Sequence, residues 1–188
     1  MAVVALDGSL AEAFVSALAG APARRFELQL PDGPILIEAV ASDDVFGDGL
    51  AEKIANAAGM IVVTQHGDAA SMEELRRLFA RLPQDVFLPT GHALPREPGR
   101  MEFKISCGNC GQKLWVADAH EGRPGRCPGC KQTFMIPSQP RHLAAVLQLS
   151  ADTPVRILTR GDTASAVALV NELVERLAAR DEAAHARQ

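Results

Sequence analysis

Residues 101–137 read M-E-F-K-I-S-C-G-N-C-G-Q-K-L-W-V-A-D-A-H-E-G-R-P-G-R-C-P-G-C-K-Q-T-F-M-I-P, and they hold all four cysteines of the 188-residue chain. Cys107 and Cys110 form one C-x-x-C, Cys127 and Cys130 the other, with sixteen residues between the pairs. Each pair delivers two thiolates from one tight turn, and two such turns close a tetrahedron on a single ion. Zn²⁺ suits four soft sulfurs because it has no redox chemistry and accepts tetrahedral thiolate ligation. With four protein ligands no coordination position is left open, so the expected ion is structural, one Zn²⁺ per chain. The competing readings are a pair of disulfides or a C-x-x-C redox site; a redox motif normally occurs once, at a helix start.

The flanking residues fit two hairpins. Met101 to Ser106 has strand character, Gly111 follows the first knuckle where a left-handed backbone is often needed, and Leu114 and Val116 form a return strand. Gly122, Pro124 and Gly125 mark a turn, and a second hairpin carries Phe134 and Ile136 to Pro137. So small a unit buries little apolar surface, so metal binding is expected to supply most of its folding free energy. Trp115 and Phe134 are read as covering the metal hairpins. His120 lies in the loop between the knuckles, where four cysteines already fill the site.

At these residues the chain resembles a short bacterial zinc-ribbon module found attached to unrelated domains. Phe103, Cys107, Cys110, Gly111, Leu114, Val116, Gly122, Gly125, Arg126, Cys127, Pro128, Cys130, Ile136 and Pro137 carry the match. Lys131 departs from it, since a glycine usually follows the second knuckle. The resemblance implies zinc and a contact surface, and no particular activity.

Around this stretch, strands and helices alternate. Ala2 to Leu6 is a short buried strand; Asp7, Gly8 and Ser9 turn and cap a helix from Leu10 to Leu18 that ends at Gly20. Phe26 to Leu30 and Pro34 to Val40 are strands about the turn Pro31-Asp32-Gly33. Leu50 to Ala58 is helical, Met60 to Thr64 is the clearest buried strand, and Ser71 with Glu74 makes a capping box for a helix to Leu82. Asp85 to Pro89 is a further strand. Beyond the cysteines come an apolar run from His142 to Leu149, a strand at Val155 to Thr159, an amphipathic helix from Thr163 to about Ala179, and a polar, frayed tail.

That order predicts an α/β fold, a mostly parallel sheet flanked by helices, with an inserted zinc ribbon of two β-hairpins. Pro95, Pro98 and Gly99 on one side and Pro137 and Pro140 on the other bound the insertion. The predicted division is an α/β domain from 1–97 plus 141–188 and a ribbon from 98–140; two separate domains are the alternative.

Outside the ribbon the element order resembles a small Ras-like GTPase domain. V-V-A-L-D-G-S-L-A-E-A-F-V-S-A-L-A-G stands where that family has its first strand, phosphate loop and first helix. A strand hairpin follows, A-G-M-I-V-V-T-Q-H-G-D resembles a later strand, and Thr159 to Asp162 (T-R-G-D) is distantly similar to its guanine-reading N-K-x-D. The phosphate chemistry is missing. A phosphate loop needs two glycines, a lysine and a hydroxyl at set spacing; Gly8 stands alone and the first lysine is Lys53. The resemblance therefore implies a degenerate, non-hydrolysing version. Flavodoxin-like and receiver-like folds share the element order, but Asp68 is poorly placed as a phospho-acceptor.

Composition excludes several classes. Net charge is −4, hydrophobic residues make up 47% and charged residues 22%, so the chain is neither disordered nor a nucleic-acid binder by bulk charge. Residues 96–141 carry eight Lys/Arg and four Asp/Glu, +4, leaving −8 elsewhere. Four thiolates on one Zn²⁺ reduce the ribbon to about +2. The start has no signal-peptide pattern and no stretch is long and apolar enough to span a membrane, so the expected location is the cytoplasm.

The leading expectation is a non-enzymatic module with a protein partner and no catalytic or cofactor-binding residues beyond the zinc ligands. A nucleic-acid reading would use Lys113, Trp115, Arg123, Arg126 and Lys131. An enzyme or small-ligand reading would use His66, Asp68 and His92, placed after strand ends where open α/β sheets bind ligands.

Overall fold

A computed structural model describes residues 1–30, 33–40, 52–54, 56–64, 73, 76–77, 80, 90–96, 102–159 and 163–185. Its frame is a six-stranded sheet. The strands are β1 (Ala2–Ala5), β2 (Arg25–Leu30), β3 (Gly33–Ala39), β4 (Met60–Val63), β5 (Thr90–Arg96) and, after the cysteine region, β10 (Val155–Thr159). They lie in the order β10-β5-β4-β1-β3-β2. Every pairing is parallel except β2 with β3, an antiparallel hairpin in which Leu30 faces Gly33. The fold class is therefore α/β with a mostly parallel sheet, as the alternation of elements predicts.

Uniformly apolar strands are what a sheet covered on both faces requires. β1 (A-V-V-A) and β4 (M-I-V-V) are buried at every position. On one face Val3, Ala5, Ile37, Ile61, Val63 and Ala93 pack against two helices, α1 (Gly8–Ala19) and α3 (Thr163–His185). On the other face Ala2, Val4, Met60 and Val62 meet Ile54 and Leu147. The edge strand β2 alternates exposed and half-buried residues instead, with Arg25 paired to Glu38 across the hairpin at 2.7 Å.

Helix α1 starts at Gly8, two residues before the expected Leu10, directly after its cap. The Asp7 carboxylate accepts from the Ser9 N–H at 2.9 Å, and Gly20 closes the helix in the left-handed conformation. Only Leu6 and Asp7 separate β1 from α1. Helix α3 contributes Ala166, Leu169, Val170, Leu173 and Leu177 to the core, a helical stripe. Gly91 on β5 permits its close approach: a Cβ there would stand 3.0 Å and 3.1 Å from the Cδ1 atoms of Leu169 and Leu173.

Several expectations change, gain detail or fall outside the described residues. The strand expected at Asp85 to Pro89 falls outside the described residues, and the strand that is present runs over Thr90–Arg96. Pro95, expected as a boundary signal, lies inside it, beyond its last β4 pairing at Ala93 and so clear of that ladder. The run His142 to Leu149 falls mostly in a helix, α2 (Gln139–Leu147), with Pro140 in its first turn. Helix α3 continues through the expected frayed tail to His185, because Ala, Arg and Glu there are strong helix formers. The Ser71–Glu74 capping box lies outside the described residues. Among the described residues no helix is long and apolar enough to cross a membrane.

Leu173 is fully buried where α3 meets β5. Leu173→Ala is expected to lower the free energy of unfolding by about 2–5 kcal/mol, read from chemical denaturation. A loss under about 1 kcal/mol would mean that α3 does not close this face.

Candidate metal centre

Between β5 and β10, which pair directly, the chain makes two small antiparallel hairpins. The first joins β6 (Glu102–Ser106) to β7 (Lys113–Ala117); the second joins β8 (Pro124–Arg126) to β9 (Thr133–Met135). They are one pattern repeated at a spacing of twenty residues. Lys104 faces Trp115 and Ile105 faces Leu114 in the first; Pro124 faces Met135 and Gly125 faces Phe134 in the second.

The turns repeat atom for atom. The Cys107 N–H donates to the Gln112 carbonyl and the Gly111 N–H to the Cys107 carbonyl, at 2.9 and 2.8 Å. The Cys127 N–H donates to the Gln132 carbonyl and the Lys131 N–H to the Cys127 carbonyl, both at 2.9 Å. This geometry needs a left-handed residue after each second cysteine. Gly111 takes it at φ 72° and Lys131 at φ 63°. Lys131, the departure from the ribbon pattern, thus keeps the turn and carries a conformation that costs a side chain roughly 1–2 kcal/mol.

The turns bring Cys107, Cys110, Cys127 and Cys130 together with all four Sγ atoms within 4.8 Å of one another. Cys107 approaches Cys130, and Cys110 approaches Cys127, each at 3.7 Å. These contacts cross between knuckles and are far longer than a disulfide bond, and all four cysteines are free. A tetrahedral ion with bonds of about 2.3 Å to sulfur has edges of about 3.8 Å. The donor set therefore fits a metal ion by both chemistry and spacing.

The cluster splits the thiols electrostatically. The Asn109 side chain and then the Gln132 N–H bring the Cys130 thiol down to about 6. The N–H groups of Cys130 and Gly129 lower Cys127 as well. Cys110 also receives an N–H, from Gln112, but the surrounding thiols, with some desolvation, outweigh it and push it up to about 11. Four thiolates this close repel one another, and a divalent cation is what lets all four ionise together.

Below the sulfurs lies a small core of Phe103, Ile105, Val116 and Ile136, with Leu114 and Phe134 half-buried against it. Phe134 covers the hairpins as expected. Trp115 does not: strand alternation turns it outward, 56% exposed, with the Lys104 ammonium 5.5 Å from its ring centroid. His120 lies exposed in a short 3₁₀ turn, Asp118–His120, outside the sulfur cluster. The same turn anchors the hairpins to helix α2: the Gln139 side chain donates to Asp118 at 2.7 Å, and the Gln139 N–H to Glu121 at 3.3 Å.

The other candidate residues do not assemble into a described site. His66 and Asp68 lie outside the described residues. His92, expected after a strand end, is inside β5, beside Val62 on β4 and Val155 on β10, and is fully buried. The local pattern of Thr90–Arg96, with its glycine, histidine and proline, does not mark a strand, which is why His92 is expected beyond a strand end. Burial lowers its pKa to about 4, so the imidazole is neutral at pH 7.

Compared with known protein families and with curated proteins, the chain matches neither a family model nor a curated sequence.

Two outcomes follow from this geometry. Lys131→Gly relieves the left-handed strain and is expected to stabilise the metal-loaded protein by about 0.5–1 kcal/mol in thermal or chemical unfolding; destabilisation would refute the strain. His92 binds its proton more weakly folded than unfolded. Its contribution is complete above about pH 6.5 and is lost as pH falls toward 4, a total of about 3 kcal/mol. Wild-type stability should therefore fall more steeply over that window than that of His92→Gln, and parallel curves would count against it.

Proposed function

We propose that the chain is a non-enzymatic, zinc-binding α/β protein whose two hairpins form a zinc ribbon serving as a contact module for a protein partner. The observation that carries this reading is the sulfur tetrahedron: four free thiols at metal-ligand spacing, with every coordination position supplied by the chain. A closed four-thiolate site holds structure and does not activate water or substrate. Zinc is favoured over iron, the other metal suited to a tetrahedral sulfur site, because it needs no redox partner. Reduced thiols are also what a cytoplasmic setting maintains.

The α/β frame supports reading the rest, 1–97 with 141–188, as a degenerate GTPase-like domain. A strand, a helix, an antiparallel hairpin and parallel strands follow in the order that resemblance implies. The two-residue link from β1 to α1 leaves no room for the six residues that lead up to a phosphate-loop lysine, which supports a domain that does not hydrolyse nucleotide. An enzyme using His66, Asp68 and His92 draws no support from the placement of His92. The exposure of Trp115 favours one second reading, nucleic-acid contact through Lys113, Trp115, Arg123, Arg126 and Lys131.

Elemental analysis of the purified chain should return one zinc per molecule. Structural zinc contributes on the order of 10 kcal/mol to small sites, far more than the few buried residues of the hairpins supply. Cys127→Ser is therefore expected to lose the metal and raise amide exchange across 102–136, while β1 and β4 stay protected. Iron, or no metal in protein purified without chelator, would sink the zinc reading; protected hairpins in the metal-free variant would sink the structural role.

A further inference from the structure

The geometry points to a docking surface on the outward face of the β6–β7 hairpin for an acidic, extended peptide segment of a partner protein. An apolar side chain of that segment would cover Trp115, and its carboxylates would meet Lys104 and Lys113. This rests on the reading of the hairpins as a zinc-held contact module and names the chemistry that module would recognise.

Strand alternation sorts the hairpin into two faces. Phe103, Ile105, Leu114 and Val116 face the small core, and Glu102, Lys104, Ser106, Lys113 and Trp115 face away. The core does not require a tryptophan at 115, since its ring lies mostly in solvent. A ring of that size left exposed on a rigid, metal-held hairpin has the character of an interface anchor, because tryptophan dominates binding energy where it becomes covered.

The charges around it choose the occupant. Lys104 stands directly opposite Trp115, and Lys113, two residues along the same strand face, donates to Ser106 at 2.7 Å. The hairpins' other carboxylates, Asp118 and Glu121, are engaged by Gln139 of α2, which leaves Glu102 as the hairpins' acid on this face among the described residues. The face is therefore locally basic on a chain whose net charge is −4. The second hairpin has no such arrangement: Met135 is exposed in the position equivalent to Trp115, but Pro124 stands opposite it in place of a lysine.

A peptide fits better than a nucleic acid strand. The Lys104 ammonium already lies over the indole, so a base stacking on that ring face would have to displace it. A carboxylate reaches the same ammonium without disturbing it, and an apolar side chain can pack on the ring beside it. One aromatic ring also makes a poor track for successive bases.

Trp115 is the only tryptophan and the chain has no tyrosine, so its intrinsic emission reports this face alone. The full chain, with one zinc per molecule verified by elemental analysis, is titrated with a peptide alternating Glu and Leu, with its Gln-for-Glu analogue, and with oligo-dT. The acidic peptide is expected to shift the emission. The Gln analogue should bind about tenfold more weakly, and so should Lys104→Gln/Lys113→Gln protein of unchanged zinc content. Affinity should also fall several-fold between about 50 and 500 mM salt. No shift with the acidic peptide, equal binding of the Gln analogue, or tighter binding of oligo-dT overturns the proposal, the last in favour of nucleic acid. Because zinc content is measured on the same sample, failure of docking is separated from failure of the zinc reading.

Discussion

The pairing of β5 with β10 constrains everything that lies between them. Their register, Val155 beside His92 through Thr159 beside Arg96, requires the chain to leave the sheet at one strand and return, parallel, at the next. A parallel neighbour cannot be reached by a tight turn, so some crossover must fill the gap. Here it comprises two hairpins and helix α2, with Leu143 of that helix buried. The hairpins lie outside the six-stranded sheet, within the segment that returns the chain to β10.

Within that crossover, the hydrogen bonds of Gln139 to Asp118 and Glu121 join two parts held by different forces. The sheet is held by apolar burial on both faces, while the hairpins have a core of four buried side chains beneath their sulfurs. Gln139 is itself buried, so its amide is better satisfied by Asp118 than left without a partner. The hairpins are thereby tied to α2 by polar contacts of short reach.

Much of this was legible in the residues. The C-x-x-C spacing brought four sulfurs together, M-I-V-V marked a strand buried on both faces, and Asp7 and Gly20 marked both ends of α1. What was hidden depended on neighbours that a local pattern does not show. T-G-H-A-L-P-R carries a glycine, a histidine and a proline, yet is a strand because helix α3 needs the glycine and two flanking strands supply the ladder. His92 looked like a loop residue for the same reason. Trp115 was expected inside because small modules need their aromatics, but alternation from Leu114 and Val116, both facing the core, forces it outward. That signal was present in the sequence and was outweighed by residue type. The first turn of α2 reads Q-P-R-H, which conceals a helix that Leu143 and Leu147 complete.

The repeat at twenty residues has a consequence for how a four-sulfur site is assembled. Each half brings two sulfurs, and a tetrahedral ion asks for four, so one half alone could saturate a metal only by associating with a copy of itself. Joining the halves in one polypeptide turns a meeting of two molecules into the closure of a short loop, at an effective concentration that separate peptides would not reach. The two halves differ where four converging sulfurs do not require them alike. Gly111 against Lys131 and Trp115 against Met135 are such differences, one affecting the backbone and the other the surface. The halves thus share their backbone hydrogen bonds while most of their side chains differ.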